Sequence, residues 1–270
     1  MLLLACLLMC GLPAAVAADS VPEAPARIAL IIDDLGNQLQ PGKQAISLPG
    51  PVACSFLPDA YFTRELARLA HTRNKEVMLH LPMQAVDHMA REPGELRLDM
   101  TQHQFMNTLL QHLDSVPNVS GINNHKGSLL TRHPGHMAWL MQAISRYGPL
   151  FFIDSRTTTM TVALQMADEY GVPGIERNVF LDNVRDHAAV SRQFKQLLAS
   201  ARTNGIALGI GHPYPETLAV LMRELPRLAD YNVQLVPVRR LIEIDKERNE
   251  LWQASWSRSH RVAKSSKPSP

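Results

Sequence analysis

Two adjacent carboxylates and three histidines are the residues whose types and placement point to chemistry in this chain. The carboxylates are Asp33 and Asp34, which follow the apolar run Ile28–Ile32 in "RIALIIDDLGN". Side-by-side acids at the end of a buried strand repel one another, so the pair calls for a counter-charge. The histidines are His80, His125 and His212, each at the end of its own apolar run in "EVMLHLP", "VSGINNH" and "GIALGIGH". One Asp with two His is a common three-ligand set for a divalent cation, and it leaves positions for water and substrate. The cation offsets the repulsion between the acids, and the Asp that does not bind it is free to serve as a general base. By contrast His71, His103, His112 and His187 fall on helical segments or loops, where a solvated imidazole is the default.

Three further motifs add polar groups at strand ends. In "GINNHKGS", Gly121 and Gly127 permit close backbone approach, and Asn124 precedes His125. In "FFIDSRTT", Asp154 and Arg156 suit a carboxylate–guanidinium pair that orients the ligands, with a plain rim salt bridge as the alternative. In "GIGHPYPET", His212 follows two glycines, and Pro213 and Pro215 stiffen the turn after it. A histidine there is suited to protonating a leaving amine or alkoxide.

The elements that must position these groups alternate regularly. Eight apolar runs, the first at "RIALIIDD" and the last at "VQLVPV", are separated by amphipathic helical patterns. Thr101 with Gln104 makes a capping box ahead of the stripe Phe105, Leu109 and Leu113. This alternation is that of an α/β protein with a mostly parallel sheet covered on both faces. The polar groups at so many strand ends favour a (β/α) barrel of about seven to eight strands over an open doubly wound sheet. In a barrel all the carboxyl ends converge on one rim.

Composition bounds the partners. The 270 residues carry a net charge of only +2, which argues against nucleic acid. Residues 1–18 have no charged side chain and end in small residues, the pattern of a secretory signal peptide. A short linker (19–26) would follow, then the catalytic domain (27–248) and a basic, unstructured tail (249–270). Cleavage removes Cys6 and Cys10, so Cys54 stands alone and no intrachain disulfide is possible. The expected location is periplasmic or secreted, with no stable membrane span after cleavage.

With "IALIIDDLG", "MLHLPMQA", "GINNHKGS", "FFIDSRTT", "RNVFLDN" and "GIGHPYPET" in this order, the chain resembles the divergent polysaccharide deacetylases, relatives of the NodB-type carbohydrate esterases. The resemblance spans about 27–244. It implies a distorted (β/α) barrel and a metal-dependent hydrolase that removes acetyl groups from sugars. It also implies Asp34 as a metal ligand, Asp33 as the base and His212 as the acid. One departure stands out: better-known relatives take both metal histidines from an H-x-x-x-H stretch, and this sequence has none. His80 and His125, from separate strand ends, take their place in the expected set. Asp154, Arg156 and Asn124 are expected to orient that set.

The expected cofactor is a divalent metal, zinc by preference. The expected partner is an acetylated polysaccharide or a peptidoglycan-like amino-sugar polymer. A second reading keeps the barrel but loses turnover, leaving an envelope carbohydrate-binding or scaffold protein. A third, a metal-dependent phosphoesterase, is disfavoured because no glycine-rich phosphate loop is present.

Overall fold

The computed structural model describes residues 24–87 and 92–264, with side chains through 254. The expected signal peptide, with Cys6 and Cys10, lies outside the described residues. Among the described residues no helix is long and apolar enough to cross a membrane.

Nine strands form one sheet among the described residues: β1 (Ala26–Leu35), β2 (Ala53–Phe56), β3 (Val77–Met83), β4 (Val119–Lys126), β5 (Phe151–Asp154), β6 (Gly174–Glu176), β7 (Val179–Phe180), β8 (Ile206–Gly211) and β9 (Val233–Leu235). Their order is β6-β5-β4-β3-β2-β1-β8-β7, with β9 also against β1. Every pairing is parallel. The result is a distorted (β/α) barrel, curled and left open between β6 and β7. The helices are α1 (Leu39–Ile46), α2 (Thr63–Thr72), α3 (Gln102–Ser115), α4 (Pro134–Tyr147), α5 (Ala163–Glu169), α6 (His187–Asn204), α7 (Pro215–Glu224) and α8 (Val238–Lys264).

Side chains alternate along each strand, and this divides the core in two. Ile28, Leu30 and Ile32 of β1 join Leu79, Ile122 and Phe152 in a large cluster with helix residues such as Leu66, Leu109 and Leu197. Ala29 and Ile31 face the other way, into a smaller cluster with Met78, Phe151, Ile153, Leu208 and Ile210. Val238, Leu241, Ile242 and Ile244 of α8 complete that inner cluster. Glu76 anchors the helix there: its carboxylate accepts from Val238 N at 2.6 Å and Arg239 N at 3.0 Å, filling a cap from far away in sequence. The capping box on α3 forms as the sequence indicates, with Thr101 and Gln104 bonded reciprocally.

Three local expectations change. The single run "GIERNVFLD" becomes β6 and β7, because the chain crosses from one sheet edge to the other at Arg177 and Asn178; Arg177 N donates to Asp154 O and Asn178 N to Leu208 O. The tail expected to be unstructured from 249 is helical to Lys264. No glycine or proline interrupts residues 238–267, and Arg240 pairs with Glu243 and Glu247. His112, expected in solvent, is buried and donates from Nε2 to Gly94 O at 2.7 Å.

Candidate metal centre

The paired acids owe their placement to a break in register. β1 and β2 pair at Ile32–Cys54 and again at Leu35–Phe56, so Asp33 and Asp34 together oppose the single residue Ser55. That is a β-bulge, a device that re-aims side chains. Asp33 keeps the inward phase of Ala29 and Ile31. Alternation alone would turn Asp34 toward the helices, but it takes a left-handed φ of 57°, which Asp tolerates better than most residues. Both carboxylates therefore meet the same imidazole: His80 Nε2 lies 3.6 Å from Asp33 Oδ2 and 3.3 Å from Asp34 Oδ1.

His80 on β3 and His125 on β4 share the inward phase of Met78 and of Gly121. One ligand atom from each of Asp34, His80 and His125 falls within 4.8 Å of the others. His125 Nδ1 stands 3.1 Å from Asp34 Oδ1 and 3.1 Å from His80 Nε2. Asp34 Oδ1 is buried without a hydrogen-bond partner. A carboxylate oxygen and two ring nitrogens, crowded together with one of them unsatisfied, fit a divalent cation and are costly without one. The remote ring nitrogens are also engaged. His80 Nδ1 is 3.0 Å from Asn123 Oδ1, and His125 Nε2 is 3.2 Å from Glu92 Oε2, whose other oxygen pairs with Lys126. Burial opposes ionisation of Asp34, but His125 and His80 more than offset it and hold its carboxyl far below the usual range. Burial likewise opposes charge on His80, and Asp33 and Asp34 outweigh it, raising that pKa to about 9 in the metal-free chain.

Asp33 has a different environment. It is 3% exposed, and burial lifts its pKa against the opposing charges of His80 and His212 and the Asn123 hydrogen bond. His212, just past β8, faces inward with Leu208 and Ile210. Its Nδ1 donates to Asp182 Oδ1 at 2.9 Å, and its Nε2 lies 3.6 Å from Asp34 Oδ2. Asp182 Oδ2 also accepts from His212 N at 2.6 Å and Thr217 Oγ1 at 2.7 Å. Burial opposes charge on His212, yet Asp182, Asp34 and Asp33 raise its pKa. The rim thus joins a buried carboxylate of raised pKa, an Asp-paired imidazole and a cation-fitting triad.

Residues 30–242 match the family model described as divergent polysaccharide deacetylase. The chain belongs to the divergent polysaccharide deacetylase family. It is 37% identical over 210 residues to the uncharacterized protein YibQ of Escherichia coli K12, covering 78% of this chain and 66% of that one. It therefore spans just under two thirds of that relative's length. Among solved structures, it resembles an uncharacterized protein of Agrobacterium tumefaciens C58, with TM-score 0.77 at 20% identity over 82% of this chain and 91% of that one. It also resembles the catalytic domain of a peptidoglycan N-acetylglucosamine deacetylase from Eubacterium rectale, with TM-score 0.51 at 11% identity over 82% and 92%. At these identities the two structures show the fold alone.

On this deacetylase scaffold, three of the expected supporting residues face elsewhere. Asn124 is out of phase with His125: it donates to Lys126 O and accepts from Ser155 N, pinning the turn after β4. Asp154 follows Phe152 outward, where it accepts from Arg156 N and Thr161 Oγ1. The expected Asp154–Arg156 side-chain pair does not form, because the Arg156 guanidinium reaches Glu176 on the neighbouring β6 at 2.8 Å. Arg177 is the arginine held closer in, donating to Ser155 O and Arg156 O. The contacts to the central side chains come instead from Asn123, which Ser55 holds in turn, and from Asp182 and Glu92. Strand phase marks Asn123, since it is two residues from His125; Glu92 carries no sequence signal.

Proposed function

We propose that this chain is an exported metal-dependent hydrolase that removes acetyl groups from an envelope polysaccharide or amino-sugar polymer. The observation that carries this is the unsatisfied Asp34 Oδ1 between His80 Nε2 and His125 Nδ1, at the carboxyl-end rim of a parallel barrel. Asp34, His80 and His125 would hold the ion, and two nitrogens with one oxygen suit zinc. A bound divalent ion supplies polarisation of the acetyl carbonyl and acidification of water. Asp33 takes the proton from the attacking water, and its raised pKa makes it a stronger base than a solvated carboxylate. His212, kept protonated by Asp182, gives a proton from Nε2 to the departing amine or alkoxide. Membership of the divergent polysaccharide deacetylase family supports an acetylated sugar as substrate. The uncharged, apolar start of the sequence supports export.

The test is acetate release from chitotetraose and from peptidoglycan fragments, with and without added zinc. Zinc-dependent release that is lost in Asp33→Asn is expected. Zinc binding with no release from either glycan would return the binding-protein reading.

A further inference from the structure

Asn123 is wholly buried, and its amide touches both halves of the candidate machinery. Nδ2 donates to Asp33 Oδ1 at 2.9 Å and Oδ2 at 3.1 Å, and lies 3.3 Å from Ser155 Oγ. Oδ1 accepts from Ser55 Oγ at 2.6 Å and meets His80 Nδ1 at 3.0 Å. The neighbours allow one orientation of this amide. A carboxylate only accepts, so the nitrogen end faces Asp33. The oxygen end then faces His80, and since an amide oxygen only accepts, His80 Nδ1 must carry a hydrogen. With Nδ1–H so engaged, Nε2 is the nitrogen left to meet a cation, and it is the atom beside Asp34 Oδ1 and His125 Nδ1.

We propose that Asn123 is the positioning residue of this site: by gripping Asp33 through Nδ2 and His80 through Oδ1, it fixes His80 as the tautomer that turns a free Nε2 toward Asp34 and His125. Ser55 locks the amide from the strand between. Glu92 acts in the opposite sense on His125, taking its Nε2–H and leaving Nδ1 free. The two histidines thus present different ring nitrogens, as suits ligands drawn from separate strands rather than from one turn of chain. Asn124, one residue on, serves the backbone and has no part in this. The bare Nε2 and its consequence for metal affinity rest on the metal reading above, because without a cation Nε2 also faces the carboxylates of Asp33 and Asp34; the hydrogen bond from His80 Nδ1 to Asn123 does not.

The test is nitrogen NMR of the full chain labelled with 15N-histidine, with the His80 signals assigned by their loss in His80→Gln. The zinc-loaded chain is read for the tautomer, and the metal-free chain for exchange of the His80 Nδ1–H. With zinc, hydrogen on Nδ1 is expected; hydrogen on Nε2 overturns the proposal without any variant of Asn123. Asn123→Leu keeps the shape but not the amide, and is expected to speed exchange of the His80 Nδ1–H and weaken zinc binding about 10- to 100-fold. Unchanged exchange and zinc affinity in that variant overturns the proposal. Should Asn123→Leu not fold, Ser55→Ala loosens the same amide, and a smaller loss of zinc affinity is expected; no loss counts against it. Asn124→Ala is expected to lower the melting temperature and leave the His80 tautomer intact. A wild-type chain with no zinc affinity would refute the metal reading; a His80 Nδ1–H slow to exchange in that chain and fast in Asn123→Leu would leave the role of Asn123 standing.

Discussion

Asp182→Asn is the sharpest perturbation of the proposed acid. The Asp182 side chain has no exposed surface, and its two oxygens accept three hydrogen bonds. Oδ2 takes two of them, from His212 N and Thr217 Oγ1, so the new amide keeps its oxygen there. Its nitrogen then faces His212 Nδ1, which must give up its hydrogen and accept. One charge-assisted hydrogen bond is lost, about 1.5–3 kcal/mol. At about 1.4 kcal/mol per pH unit, the His212 pKa should fall by about 1–2 units. The sign for stability follows from the same shift. Because the folded pKa is raised above 6.5, the stabilisation is full below that value and lost as pH rises through the folded pKa. At about pH 6 the variant should therefore melt about 3–12 °C lower than wild type, with a smaller gap at alkaline pH. An acid must be protonated to work, so the alkaline limb of acetate release should move to lower pH by the same 1–2 units, roughly. NMR titration of His212 reads the shift directly, whether or not a substrate is known. An unchanged His212 titration together with an unchanged melting temperature would refute the reasoning.

Other consequences can be measured separately. In the metal-free chain, His80 has a folded pKa raised to about 9, so its stabilisation is complete below 6.5 and lost as pH rises through 9. Stability from urea unfolding should fall by about 3 kcal/mol across that window, and a flat profile would exclude the charged His80. Glu76→Ala removes the cap of α8 and should cost about 1–2 kcal/mol in the same assay while leaving zinc affinity unchanged. A change in zinc affinity there would mean that α8 is coupled to the rim in a way its contacts do not indicate.

The strands, and the gathering of the candidate site residues at their ends, were legible because both follow from period and position. All eight apolar runs became strands, and Asp33, His80, His125 and His212 stand where those runs end. Some of what was missed was also readable. If His125 faces inward, alternation puts Asn123 inward and Asn124 outward, and the same count from Phe152 turns Asp154 away. Other features depend on contacts that no local pattern carries. The bulge that frees Asp34 exists only in the register between β1 and β2. Arg156 finds Glu176 on an adjacent strand, and Glu92 reaches His125 from the long connection between β3 and α3. The polar end of α8 was misjudged because composition was weighed above the absence of helix breakers.

The most direct measurement is the metal content and zinc affinity of the purified chain beside those of Asp34→Ala, His125→Ala and Asp33→Asn. The proposal predicts one tightly held divalent ion per chain, lost with Asp34→Ala or His125→Ala and retained with Asp33→Asn. A wild-type chain that binds no divalent ion, or an Asp34→Ala variant that binds it as well as wild type, would contradict the metal centre and the division of labour between the two acids.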